Sequence, residues 1–227
     1  MKGFGNKKIY TKKNNKKILD KIKLFKLISK GLKAHYDGNI SDAIKYYQLC
    51  IDNGVTDERV LINYGLICQQ TNKSERAKQL YKKALNFYPN NPIIYSNLAS
   101  IIKKEGNLKD AEVLLRKAID LKPDYDDAHS NLGIILKELG RLEESELSLR
   151  KAIDINPGLS NAHLNLSLVI KEQGKIKQAE EHIRKAIELN PNSAKSHYNL
   201  GNILRDLGKE KEAEQAYRLA INLKPDF

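Results

Sequence analysis

From about residue 24 onward, apolar residues recur at steps of three and four, which marks amphipathic helices rather than strands. The pattern restarts at even intervals. Pro89, Pro123, Pro157, Pro191 and Pro225 follow one another every 34 residues. With each proline as the thirty-second position of a unit, the chain divides into 24–57, 58–91, 92–125, 126–159, 160–193 and 194–227, without insertion or deletion. Fixed periods of this length mark repeat architectures, in which each unit covers the apolar face of its neighbour.

The columns of this alignment predict two helices per unit. The eighth position holds Gly31, Gly65, Ala99, Gly133, Ser167 and Gly201; the twentieth holds Ala43, Ala77, Ala111, Ser145, Ala179 and Ala213. The twenty-seventh holds Cys50, Ala84, Ala118, Ala152, Ala186 and Ala220. Small residues at these places let helices approach at the close end of the usual 8–10 Å. Large residues fill the remaining space, with Leu98, Leu132, Leu166 and Leu200 at the seventh position of helix A. Tyr47, Tyr81, Leu115, Leu149, Ile183 and Tyr217 take the twenty-fourth, in helix B. Gly38, Asn72, Gly106, Gly140, Gly174 and Gly208 stand at the fifteenth, where the chain must leave one helix and enter the next. Glycine adopts the left-handed backbone of a helix end freely and asparagine tolerates it. Proline then stops helix B.

Residues 128–157, AHSNLGIILKELGRLEESELSLRKAIDINP, resemble the tetratricopeptide repeat (TPR) pattern, and the resemblance extends over 24–227. The first unit departs most, with Lys30 at the seventh position and Val55 in place of proline. The resemblance implies an all-α fold, a right-handed α-solenoid of six 34-residue helix-turn-helix repeats. Helix A of each repeat would line a concave groove and helix B would lie outside.

Candidate binding residues follow from the groove face of helix A. The sixth column reads Asn63, Asn97, Asn131, Asn165 and Asn199, with Ser29 in the first unit. A carboxamide both donates and accepts hydrogen bonds, so one per repeat can pair with the backbone of an extended peptide. The column resembles the asparagine ladder of O-GlcNAc transferase-type TPR arms, which implies peptide capture of broad specificity. Duplicated, merely solvated asparagines are the plainer reading; asparagine is a poor mid-helix residue, which makes its recurrence less casual. Beside the ladder stand Lys103, Lys137, Lys171 and Arg205 at the twelfth position, followed at the thirteenth by Lys104, Glu138, Glu172 and Asp206. Opposite charges so close are expected to neutralise one another. Leu66, Ile134 and Leu168 are expected to add apolar pockets. Clamps of the family that grip a C-terminal carboxylate use Lys and Arg at the second, fifth and sixth groove positions of consecutive units. The fifth column here is Ile28, Ile62, Ser96, Ser130, Leu164 and Tyr198, which disfavours that subclass.

Charge changes the picture only at one end. The net charge is +12, but residues 1–23 hold nine lysines against Asp20 and account for +8. The basicity thus belongs to an N-terminal tail, expected to be disordered at first and then helical through Ile18, Ile22 and Phe25. The repeats carry little excess charge, which argues against nucleic acid as a partner, and no apolar run approaches the roughly 20 residues of a membrane span. Cys50 and Cys68 match no metal or redox spacing, which suits a reducing cytoplasm.

The sequence offers no site for chemistry and implies no cofactor. His129, His163 and His197 share the fourth column. Column neighbours lie a helix-pair spacing apart, too far to share an ion that holds its ligands near 2.1 Å. His35 and His182 read as isolated. The expectation is a non-enzymatic, cytoplasmic scaffold or adaptor for a protein or peptide ligand. The alternative is the substrate-recruiting arm of a larger transferase, of glycosyltransferase or sulfotransferase type. Because the sequence stops on the repeat boundary at Phe227, the face of Tyr217, Ala220, Ile221 and Leu223 is expected to be uncapped and available for self-association, or else covered by further chain.

Overall fold

The computed structural model describes residues 21–226. The tail expected over 1–23 lies outside the described residues as far as residue 20. Among the described residues every regular element is an α-helix, and the helices pair into hairpins. These are α1 (21–36), α2 (Ile40–Asp52), α3 (Glu58–Gln70), α4 (Ser74–Phe87), α5 (Pro92–Lys104), α6 (Leu108–Leu121), α7 (Asp126–Glu138), α8 (Leu142–Ile155), α9 (Ser160–Glu172), α10 (Ile176–Leu189), α11 (Ala194–Asp206) and α12 (Glu210–Leu223). They form two compact units, divided after Ile94 within the first turn of α5.

The turn inside each hairpin is set by one left-handed residue. After α7, Gly140 has φ +76°; its N–H donates to the Lys137 carbonyl at 2.9 Å and the Arg141 N–H donates to Leu136 at 2.9 Å. This six-to-one closure satisfies carbonyls that a helix end otherwise leaves unpaired. Asn72, which replaces glycine in the second repeat, adopts φ +57° and makes the same closure, Lys73 N–H to Cys68 at 2.7 Å. The first repeat lacks the proline that ends helix B elsewhere. Gly54 stops α2 instead at φ +74°, with the Val55 N–H donating to Cys50 at 2.9 Å. The glycine one residue before Val55 was the available sequence signal for this substitution of one helix stop by another.

Packing within each hairpin rests on a small residue facing a large one. In the first unit α3 and α4 cross at Gly65 and Tyr81. A Cβ on Gly65 would lie 2.4 Å from Tyr81 Cε1, and the Tyr81 ring is fully buried. In the second unit Gly133 faces Leu149 at a corresponding 2.5 Å, and Gly201 faces Tyr217 at 2.5 Å. Where the eighth position does carry a side chain, Ala99 and Ser167, the twenty-fourth is the narrower Leu115 and Ile183. Ser145 fills its small-residue column by donating its hydroxyl to the Gly133 carbonyl at 2.6 Å, so the buried hydroxyl is satisfied.

The second unit has a continuous apolar interior. Leu115, Leu132, Ile135 and Leu136 close its first part. Leu149, Leu166, Ile170, Ile183 and Ile203 continue it. Burying one such side chain stabilises by about 1.5–3 kcal/mol. Outside this interior, glutamates on successive B helices tie neighbouring repeats. Arg141 reaches back to Glu112 at 2.8 Å, Lys175 to Glu146 at 3.3 Å and Lys209 to Glu180 at 2.9 Å. Exposed pairs of this kind contribute little each, so registry rests on the apolar interior.

The Gly65–Tyr81 contact yields a direct test. Gly65→Ala is expected to lower stability by about 1–2 kcal/mol, the overpacking penalty less the helix-propensity gain of alanine. Combining it with Tyr81→Leu recreates the Ala99–Leu115 pairing and is expected to recover part of that loss relative to the sum of the single changes. Urea unfolding followed by circular dichroism reads both; strictly additive effects would show that the two positions do not compete for the same space.

Candidate functional site

The A helices of the second unit have a face that the interior does not use. In α7 and α9 packing takes the third, fifth, seventh, eighth, tenth and eleventh positions; the second, sixth, ninth, twelfth and thirteenth are less buried. In α7 and α9 this face opens into a groove of about 490 Å³, lined also by Lys103 of α5 and Lys195 of α11. Among the described residues every lining side chain belongs to an A helix or to Leu159 just before α9.

Asn131 and Asn165 both line this groove, and among the described residues neither carboxamide has a hydrogen-bond partner. The other members of the column are placed differently. Asn199 donates to the Lys195 carbonyl of its own helix at 2.8 Å. The Asn97 amide nitrogen is covered and has no partner. Asn63 lies in the first unit, where its side chain acts on the Tyr47 phenol and opposes the rise in pKa that burial causes. The floor between Asn131 and Asn165 is apolar, made by Ile134, Leu164 and Leu168. Leu66, named with Ile134 and Leu168 on sequence grounds, belongs to the first unit.

The lysines of the twelfth column are all engaged. Lys103 pairs with Glu138 at 2.8 Å, Lys137 with Glu172 at 2.6 Å and Lys171 with Asp206 at 2.8 Å. Each pair joins one repeat to the next along the groove edge. Arg205 has only Asp206 beside it, at 3.9 Å, and stays largely exposed. These cations are therefore neutralised in place, and the hydrogen-bonding capacity of the groove rests with the asparagines.

Two sequence readings need correction here. His35 is not isolated, because its Nδ1 lies 3.3 Å from the Tyr47 hydroxyl. Nor is His182, whose Nδ1 lies 3.3 Å from Nδ1 of His163. The partners sit 12 and 19 residues apart on facing helices, a separation that column alignment does not bring together. The fourth-column histidines also do more than pack. Nε2 of His129 meets the Pro123 carbonyl at 2.9 Å and Nε2 of His197 meets Pro191 at 2.8 Å, so each imidazole holds the turn that precedes its own repeat. The Pro157 carbonyl acts on His163 as well. In the Nδ1–Nδ1 contact one ring must donate and the other accept, and the tautomers of the two imidazoles set which does which.

Burial is the main cause that lowers the pKa of both imidazoles from the ordinary value of 6.5. Lys185 and Arg150 act in the same direction and Glu188, Glu181 and Glu146 oppose it. Burial likewise raises the Cys50 and Cys68 thiols, leaving both as inert core groups.

A stack of helix hairpins with a groove along its A helices defines a class of repeat protein built to hold other chains. Tetratricopeptide repeat models match residues 58–91 and 160–193, residues 103–167, and residues 80–113 and 182–215. The chain belongs to the tetratricopeptide repeat family. It is 37% identical over 82 residues to the photosystem I assembly protein Ycf3 of Prochlorococcus marinus (strain NATL1A), a match covering 35% of this chain and 47% of that protein. Ycf3 of Synechococcus sp. (strain CC9605) is 31% identical over 81 residues, again 47% of its length. The chain thus spans about half the length of the curated relatives it matches. Among solved structures, PilF of Pseudomonas aeruginosa superposes with a TM-score of 0.68 at 28% identity, covering 73% of this chain and 75% of that one. YrrB, described as a TPR protein with an unusual peptide-binding site, gives 0.59 at 22% identity over 79% of this chain and 93% of its own. At that identity the likeness speaks to the fold. Among the described residues no helix is long and apolar enough to cross a membrane.

The histidine pair predicts a pH dependence. The unfolded imidazoles titrate near 6.5 and the folded ones lower. Between those values the unfolded chain binds more protons, so stability falls as pH drops through about 6.5 and levels only below the folded pKa values. Protonating both rings also sets two N–H groups against each other. The urea midpoint is expected to be lower at pH 5.5 than at pH 7.5, above the range where carboxylates protonate. His182→Ser, which copies Ser148 at the equivalent place, should reduce that difference. An equal drop in the variant would rule out the pair as its source.

Proposed function

We propose that this chain is a non-catalytic TPR scaffold that holds extended protein segments along the groove of its second unit, gripping them by their backbones. The observation that carries this reading is the pair Asn131 and Asn165. Their carboxamides open into the same groove, above an apolar floor, without partners among the described residues. Asparagine lowers helix stability at such positions, so two free ones have their use outside the fold. A peptide backbone presents the N–H and C=O groups that a carboxamide matches. Contact with backbone rather than side chains makes the groove tolerant of ligand sequence.

The relatives support a role in bringing proteins together: Ycf3 is named for the assembly of photosystem I, and YrrB for a peptide-binding site. For this chain the reading places the work in the cytoplasm, with a protein ligand and no cofactor. The ligand meets Asn131 and Asn165 first. Asn97 and Asn199 extend the row at either end once the peptide competes with their present surroundings, and Asn63 contributes separately from the first unit.

Labelled 11-residue peptides of glycine and serine with one central leucine provide the test, with binding followed by fluorescence anisotropy. Replacing Asn131 and Asn165 together by alanine is expected to weaken binding roughly tenfold, from a net value of about 0.5–1.5 kcal/mol per hydrogen bond. Helical content should be unchanged. Equal affinity in the double variant would remove the asparagines from the account.

A further inference from the structure

The charges around the groove divide into those the protein has already neutralised and those it has not. Lys103 and Lys137 are tied to Glu138 and Glu172, as described. Two other lining charges are left over, both in the second column. Asp127 lies at the start of α7, and among the described residues no cation pairs with its carboxylate; the charge that acts on it is another acid, Asp126. Burial and that neighbouring acid raise its pKa, the direction expected of a carboxylate lacking a cation. Lys195, two repeats further along at the start of α11, has an ammonium with no anionic partner among the described residues. Between them the column holds the neutral Asn161, which also lines the groove. One edge of the groove therefore runs from negative through neutral to positive.

We infer that the groove selects extended segments carrying one basic and one acidic side chain on opposite sides of a central apolar residue, the basic one facing Asp127 and the acidic one facing Lys195. This specificity rests on the backbone capture proposed above and deepens it. The asparagines hold the chain, the Ile134, Leu164 and Leu168 floor takes the apolar side chain, and the two unpaired charges set register. The spacing follows from the fold. Asp127 and Lys195 stand two interhelix steps apart, each about 8–10 Å. Extended chain advances about 3.3 Å per residue, so the two ligand charges should be five or six residues apart. A ligand that places like charge at both points leaves one of them facing its own sign.

The test uses the same 11-residue peptides with residues 3 and 9 made Arg and Glu, Gln and Gln, Arg and Arg, or Glu and Glu. The Arg/Glu peptide is expected to bind about two- to fivefold more tightly than the Gln/Gln peptide per charge pairing, the range typical of exposed ion pairs. That advantage should shrink as salt rises. Variants should then exchange the preference: Asp127→Lys is expected to favour the Glu/Glu peptide, and Lys195→Glu the Arg/Arg peptide. Both positions are on the surface, and thermal melts establish that the variants remain folded. If all four peptides bind equally and neither variant re-ranks them, the charge register is wrong while backbone capture stands. If none of the four binds, the groove is not a peptide site and both readings fall.

Discussion

The close approach of two helices at the eighth and twenty-fourth positions is the constraint on which this structure depends. Where Gly65 meets Tyr81, the contact leaves no room for even one methyl group. It brings the hairpin together with its large side chain fully buried, and so leaves the outer faces of both helices to be covered by the neighbouring repeat. Relaxing that contact would separate the helices and misplace the interface with the next hairpin. The sequence shows the constraint in its exceptions as clearly as in its rule: a larger residue at the eighth position, Ala99 or Ser167, comes with Leu115 or Ile183 rather than tyrosine.

The groove follows from that arrangement. Once the A helices spend one side on the interior and on their own B helix, the other side remains, and in α7 and α9 it is open. What the protein does with that side is instructive. It places potentially competing lysines in bridges between repeats, which removes their charge from the ligand's view without removing their side chains from the wall. The two asparagines at the centre are treated in the opposite way, kept without internal partners.

Most of the fold was legible because it is written in periodic columns. The spacing of five prolines, the small residues and the left-handed turn positions pointed to the hairpins, down to Asn72 standing in for glycine. Gly54 was missed as a helix stop because it lies outside the proline column, although a glycine following a helix is itself a recognised signal. The His163–His182 and His35–Tyr47 contacts were missed for a deeper reason. They join different columns on different helices, and an alignment of repeats compares like positions only. The same holds for the groove: its asparagine and lysine columns were readable, but whether a given lysine was free or bridged depended on geometry between repeats.

That difference bears on where specificity can reside in a repeat protein. A column that is the same in every repeat serves a need that recurs in every repeat, such as packing, turning or neutralising a neighbour. Such a column cannot fix the register of a ligand, because a shift by one repeat presents the same surface again. The asparagine column is of this kind: as proposed, it would hold a chain but not say where it begins. Register needs a column that changes along the groove. Among the lining positions the second is the one that passes from Asp127 through Asn161 to Lys195, and it does so without the internal bridges that cancel the charges of the twelfth and thirteenth. In the proposed reading grip and register are divided between a constant column and a varying one, a separation that would let one change without disturbing the other.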